Sequence, residues 1–375
     1  MPGCLFYFAS LMPSKAKEVI VPPTGVFRVV FLYVGQGDAA ILAVPDGLAF
    51  RYVLLDNNID RSAGGINTQK LLQDLLDDGL DVFINTHPHR DHTEGIEAIH
   101  EATPIKEVWH SGHKPGKDSD SAYQEMRRVI KDIGPANEYK LFGSNSTNKI
   151  RKADGITTMT KLLGDITYQV LSPAEYLCDD IAEGADKERD RRIHEHCAVI
   201  RFSYGNPARH ILMTGDADRV AWEDHIMPYH QTMVKADVLS AVHHGSRTFF
   251  KFHGDDEDVY ETHIETIAPQ YVIVSAPTQE ESRHSHPHDD AIDLYAEHVS
   301  DPANVLHSGK NRESFIVDIH PDGNWTVTPD QELVEAYGYD NDSGDGGKAS
   351  GRSASVGAAR PGTRLDKQPM GAAHE

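Results

Sequence analysis

Short apolar runs separated by Gly, Pro and Asp dominate the first part of the chain. Residues 26–34, 40–44, 52–56 and 81–85 are rich in Val, Ile, Leu and Phe and have the length of strands rather than helices. Between them the period changes. Leu71, Leu72, Leu75 and Leu76 recur along one helical face, which predicts a helix over 68–78 with Gly79 where it would stop. Residues 123–133 predict a second amphipathic helix. Further on, 198–203, 211–214, 237–242 and 271–275 repeat the strand pattern, 291–299 predicts a helix, and 315–319 and 325–327 predict closing strands.

The two halves echo each other. Leu54-Leu55-Asp56, a helix and then Phe83-Ile84-Asn85-Thr86-His87 find a counterpart in Leu212-Met213-Thr214-Gly215-Asp216, a helix and then Leu239-Ser240-Ala241-Val242-His243-His244. In each half polar residues close an apolar strand, which is where a site between two sheets is built. The alternation of strands and helices indicates an α/β protein. Residues 24–330 read as one domain, preceded by an extension over 1–23. Beyond Tyr339 the composition shifts to Gly, Ser and Ala with little apolar periodicity, so 341–375 reads as a disordered tail. The mixed-charge stretch 179–192 shows no buried face and reads as a solvated insertion or a loop at a site mouth.

Composition narrows the class. The chain has 375 residues, 39% hydrophobic and 25% charged, enough for one large soluble domain. A formal net charge of -22 removes long-range attraction for polyanions and argues against tight nonspecific binding of duplex nucleic acid. Cys4, Cys178 and Cys197 are an odd set without paired spacing, which suits a reducing compartment. The apolar stretch 4–12 lacks a basic flank and makes a poor signal peptide, and no segment reaches the ~18 apolar residues of a membrane helix. The expectation is a cytoplasmic protein without a membrane partner.

Chemistry concentrates in Thr86-His87-Pro88-His89-Arg90-Asp91-His92, which follows a predicted strand. His87, His89, Asp91 and His92 offer more imidazole and carboxylate donors than one tetrahedral ion takes from a single loop, so two metals are the natural reading. Pro88 fixes its own φ and pushes His87 toward an extended conformation, giving a stiff hook.

This run resembles the H-x-H-x-D-H signature of the metallo-β-lactamase superfamily. Val34-Gly35-Gln36-Gly37-Asp38-Ala39, Val53 to Asn58, Met213 to Asp216 and Val242-His243-His244-Gly245-Ser246 extend the likeness, in order, over roughly residues 24 to 325. That set is similar to the hydrolase domain of ComEC-type competence proteins and to phosphorylcholine esterases. The resemblance implies a four-layer αβ/βα sandwich with a dinuclear metal site between its sheets, holding Zn²⁺ or Mn²⁺. It implies that His87, His89 and His196 hold one ion, that Asp91, His92 and His244 hold the other, and that Asp216 bridges them. His194 is the alternative to His196, and His243 the alternative to His244, since neighbours at a strand end point to opposite faces.

Around these ligands, Asp56 is expected to accept a ligand-histidine N–H and hold its tautomer, with Asp38 and His243 also behind the ligands. Asp91 also counts among the catalytic candidates, and His286, in Arg283-His284-Ser285-His286-Pro287-His288, is expected to contact substrate or protonate a leaving oxygen. Ser246 and Arg247 are candidate contacts to an anionic substrate. Two ions would deprotonate water near neutral pH and neutralise charge on the attacked centre. The implied activity is a hydrolase of phosphodiesters, acting on a small or cyclic ester or on single-stranded nucleic acid. Hydrolysis of a carboxylic ester, thioester or lactam is a second reading, and a non-catalytic binding or regulatory protein a third.

Overall fold

The computed structural model describes residues 13–115 and 121–339, with backbone alone for 181–183. The predicted tail over 341–375 and residues 1–12 of the predicted extension lie outside the described residues. Strands form two sheets. The first has ten strands in the order Trp325–Asp330, Ser314–Ile319, Phe27–Phe31, Ala40–Asp46, Ala49–Leu55, Leu80–Asn85, Ile105–His110, Glu138–Lys140, Lys149–Lys152 and Thr158–Thr160. The second has six, in the order Val305–His307, Tyr271–Val274, Val238–Ser240, Arg209–Met213, Val199–Tyr204 and Thr167–Ser172.

Alternation along each strand explains the layering. In the first sheet Val29, Phe31, Leu42, Val53, Val82 and Ile84 point inward and pack with Ile200, Phe202, Ile211, Met213, Val238 and Ile273 of the second. Their neighbours Val30, Ile41, Leu54 and Phe83 point outward against Leu71, Leu72, Ile96 and Val129 of the helices Thr68–Leu75, Ile96–Ala102 and Ser121–Ile133. On the far side, Leu212, Leu239, Val272 and Val274 pack against Trp222, Ile264 and Tyr295. The layers run helix, sheet, sheet, helix, the αβ/βα sandwich expected from the sequence. Because both faces of each sheet are covered, the central strands read as continuous apolar runs instead of alternating ones.

Boundaries shift for local reasons. The first predicted helix stops at Leu75, since Leu76 is already extended. Gly79, at φ +88, instead makes the tight entry to Leu80–Asn85, where a Cβ would collide with the carbonyl of Pro104. The stretch over 179–192, read as a solvated insertion or a site-mouth loop, contains the end of the helix Glu175–Glu183 and the whole of Asp186–Arg191, the latter with no buried side chain. The helix Lys15–Ile20 buries Ala16, Val19 and Ile20 beside Leu32, so the described part of the predicted N-terminal extension belongs to the outer helical layer. No described helix is long and apolar enough to cross a membrane.

The parallel strands Ala49–Leu55 and Leu80–Asn85, and Arg209–Met213, Val238–Ser240 and Tyr271–Val274, run out into the loops that carry the polar residues. The seam beneath them should carry much of the stability. Phe202→Ala, at a fully buried inter-sheet position, is expected to cost about 3–5 kcal/mol in denaturant unfolding, whereas Leu162→Ala, 62% exposed, should change stability by no more than about 0.5 kcal/mol.

Candidate metal centre

The loop after Leu80–Asn85 is tied down by Asp56, a fully buried carboxylate at the end of Ala49–Leu55. Asp56 accepts from Thr86 N at 2.8 Å, Thr86 Oγ1 at 2.6 Å, Asn85 Nδ2 at 3.1 Å and His92 Nδ1 at 2.9 Å. Asn85, which the sequence reading passed over, also donates to the carbonyls of His87 and His92, at 2.8 and 3.1 Å. Glycine lets the Gly-Gln-Gly segment close over this loop: at Gly37, φ +132, a Cβ would collide with the carbonyl of Asp91.

Two groups of side chains can hold an ion: His87, His89, His194 and Asp216, and Asp38, His92, Asp216 and His244. In the first, His87 Nε2 and His194 Nε2 lie 3.1 and 3.2 Å from His89 Nδ1, and 3.5 and 3.7 Å from Asp216 Oδ2. In the second, His92 Nε2 and His244 Nε2 lie 3.1 and 3.5 Å from Asp216 Oδ1, and Asp91 Oδ2 lies 3.4 Å from His244 Nε2. Tetrahedral ligands bonded at 2.0–2.1 Å stand about 3.4 Å apart, so the first set, and His92, His244 and Asp216 with Asp91, have the spacing of donors around an ion.

The rings are oriented from behind. His92 gives its Nδ1 proton to Asp56, and His244 Nδ1 donates to the carbonyl of Ser275 at 3.1 Å, which leaves both Nε2 atoms facing inward. Asp38 sits on that rear side, its carboxylate 3.5 Å from His244 Nδ1 and 4.0 Å from His92 Nδ1. Asp91 therefore faces the inward atoms of the second set, and Asp38 their backs.

Burial and the neighbouring carboxylates pull these histidines in opposite directions. Burial holds His87, His194 and His243 neutral, with pKa values lowered to about 3. Burial also opposes charge on His92 and His244, but Asp216 with Asp56, and Asp216 with Asp38, outweigh it and raise both well above the usual value. Asp216 is lowered well below the carboxylate range, because the imidazoles of His243, His92 and His244 outweigh the burial that would raise it. His92 Nε2, His244 Nε2 and Asp216 Oδ1 are buried with no hydrogen-bond partner. Buried polar atoms are rarely left unmatched, and a cation among these three atoms would satisfy them. The residues present therefore fit bound metal, and Asp216 would offer an oxygen to each donor set.

The structure brings together His87, His89, Asp91, His92, Asp216 and His244, and it departs from the sequence reading in four places. His194 completes the first set in place of His196, whose Nδ1 stands 3.1 Å from His113 Nδ1 instead. His196 is 1% exposed. Second, both neighbours of the His243-His244 pair enter the site. They adopt left-handed φ values of 50 and 55, followed by Gly245 at 78, so the chain is no longer a strand whose side chains alternate. His243 Nε2 reaches 3.5 Å from Asp216 Oδ2, instead of standing behind the other rings. Third, Ser246 is buried and caps a short turn, its Oγ accepting from Thr248 N at 3.3 Å. Fourth, Arg247 pairs with Asp290 at 3.0 Å.

His286 lies beyond both donor sets. Its ring centroid is 4.9 Å from that of His243 and 6.5 Å from that of His244, and its Nδ1 is buried without a hydrogen-bond partner. Burial, with the charge of neighbouring histidines, lowers its pKa to about 3.

No family model and no curated protein matches this chain. Solved structures resemble it. The diiron β-hydroxylase CmlA from Streptomyces venezuelae is 14% identical at TM-score 0.44, covering 82% of this chain and 55% of that one. The metallo-β-lactamase fold protein YhfI from Bacillus subtilis is 11% identical at TM-score 0.40, covering 80% and 99%. The metallo hydrolase Igni18 from Ignicoccus hospitalis is 12% identical at TM-score 0.41, covering 80% and 98%. The likeness is one of fold. This chain spans about half the length of CmlA.

The donor geometry separates the two candidate histidines. His194→Ala is expected to lower bound metal from about two ions per chain to about one, while His196→Ala should retain both, as read by elemental analysis of folded, dialysed protein. Equal losses in the two variants would contradict the first donor set.

Proposed function

We propose that the protein is a dinuclear metal-dependent hydrolase of phosphodiesters, with Zn²⁺ or Mn²⁺ as the ions and a small or cyclic ester or single-stranded nucleic acid as substrate. The observation that carries the reading is the pair of donor sets sharing the two oxygens of Asp216. Bound there, two divalent ions supply Lewis acidity, lowering the pKa of water toward neutrality and neutralising charge on the attacked centre.

The chain's own groups do the rest. Asp56, Asp38 and the carbonyl of Ser275 hold rings from behind, so that the inward atoms are set before substrate arrives. Asp91, part-exposed, borders the open cleft and turns a carboxylate oxygen toward both His244 and the approaching ester. His286, whose buried Nδ1 has no hydrogen-bond partner, is the candidate to meet the substrate's leaving oxygen as a neutral imidazole. The resemblance of the Gly-Gln-Gly-Asp and His-His-Gly-Ser segments to ComEC-type hydrolase domains and phosphorylcholine esterases favours a phosphoryl over an acyl centre.

Hydrolysis of bis(p-nitrophenyl) phosphate by metal-loaded protein tests this reading. Turnover should appear with Zn²⁺ or Mn²⁺ and vanish with chelator and in Asp91→Asn; silence of folded, metal-loaded protein would overturn it. His286→Ala is expected to lower kcat by about 10²-fold or more with metal content unchanged. Loss of metal in that variant would instead make His286 a ligand.

A further inference from the structure

Beside Asp91 the surface opens into a cleft of about 520 Å³, large enough for a substantial part of a small ligand. Three arginines, Arg61, Arg90 and Arg283, line it on loops from both sides of the seam. Arg90 is paired with Glu94 at 2.8 Å. Arg283 approaches Ser62 Oγ at 3.5 Å and Arg61 lies against the ring of Tyr339, and neither guanidinium is matched to a carboxylate by an ion pair among the described residues. The carboxylate near Arg283 is Asp60, whose oxygens are occupied by Gln36 N, Ser62 N, Ser62 Oγ and Ala63 N at 2.5–3.2 Å.

A second, independent feature points into the same cleft. Gln36 lines it and is only 7% exposed. Its side-chain carbonyl accepts from Ser282 Oγ at 2.7 Å, while its Nε2 is buried with no hydrogen-bond partner. A buried donor left unmatched is unfavourable, so a wall that presents such a donor beside two unmatched guanidiniums suits an acceptor-rich anion. Guanidinium forks suit phosphate oxygens in particular.

We propose that this cleft is a subsite for a second phosphate group of the substrate, with Gln36, Arg61 and Arg283 as its contacts, so that the preferred substrate is a phosphodiester carrying an additional phosphate. This deepens the phosphodiesterase reading and rests on it. The net charge of -22 disfavours long polyanions, whereas a local subsite requires just one extra phosphate on a short substrate.

The test uses the metal-loaded full chain in two formats. In hydrolysis, diadenylate with a 5′-phosphate is compared with diadenylate without one. The phosphorylated form should show kcat/KM about tenfold or more higher, and that ratio should fall toward one in Arg283→Ala and recover in part in Arg283→Lys. In calorimetry, adenosine 3′,5′-bisphosphate should bind about tenfold or more tighter than adenosine 3′-monophosphate, an advantage lost in Arg283→Ala. A wild-type ratio near one in the binding format, or a ratio untouched by Arg283→Ala, overturns the subsite. Silence toward bis(p-nitrophenyl) phosphate and both dinucleotides overturns the phosphodiesterase reading instead, and the calorimetric comparison still decides the subsite.

Discussion

An ionised carboxylate with no solvent around it, Asp216, sets the terms for everything near it. It is 1% exposed at the end of Arg209–Met213, and removing such a charge from water costs several kcal/mol unless positive charge or hydrogen bonds answer it. Here the answer comes from both sheets: His87 and His92 from the first, His194, His243 and His244 from the second, all with a ring nitrogen within 3.7 Å of one of its two oxygens. The seam between the sheets is therefore closed at this end by electrostatics, while deeper in it is closed by apolar packing.

That constraint explains why so much surrounding structure is devoted to holding rings. Asp56, itself buried, accepts four hydrogen bonds from the loop and from His92, and it adopts a left-handed φ of 55 that a non-glycine residue takes at some cost. The left-handed turn through His243 and His244 is the same bargain, worth about 1–2 kcal/mol per residue against it. Strain of this kind persists where the neighbours over-determine the conformation. Ser246 and Arg247 belong to that supporting structure: one caps the following turn, and the other ties it to Asp290.

Polarity is distributed unevenly around the centre. The floor consists of imidazoles and carboxylates around Asp216, while the cleft that Asp91 borders carries three arginines, the carboxylates of Asp60 and Glu94, and an unmatched amide. Floor and cleft are joined by Gln36: its neighbour Gly37 passes against Asp91, and its side chain accepts from Ser282, whose Oγ in turn accepts from the backbone of His284 and His286. Segments distant in sequence are in this way fastened to a common wall.

Strand positions and the dense donor run from His87 to His92 were legible in the sequence, because hydrophobic period and ligand spacing are local properties of a chain, while the layered sandwich was what the family resemblance implied. Asp56 and Asp216 stood out as polar residues ending apolar strands, but their roles came from the resemblance. The choice of His194 over His196 was not, since both stand in one short segment and the path of residues 192–198 decides which ring faces the seam. Nor was the joint entry of His243 and His244, because strand alternation was the natural assumption and the left-handed turn is imposed by the surroundings. The fate of Arg247 depended on Asp290, 43 residues away, and the unmatched state of Arg283 and Gln36 on loops that meet only when the sheets pack. Spacing along the chain determines which donors are available. The tertiary structure decided which of them share a cavity, because burial and pairing are properties of neighbours that the sequence does not place side by side.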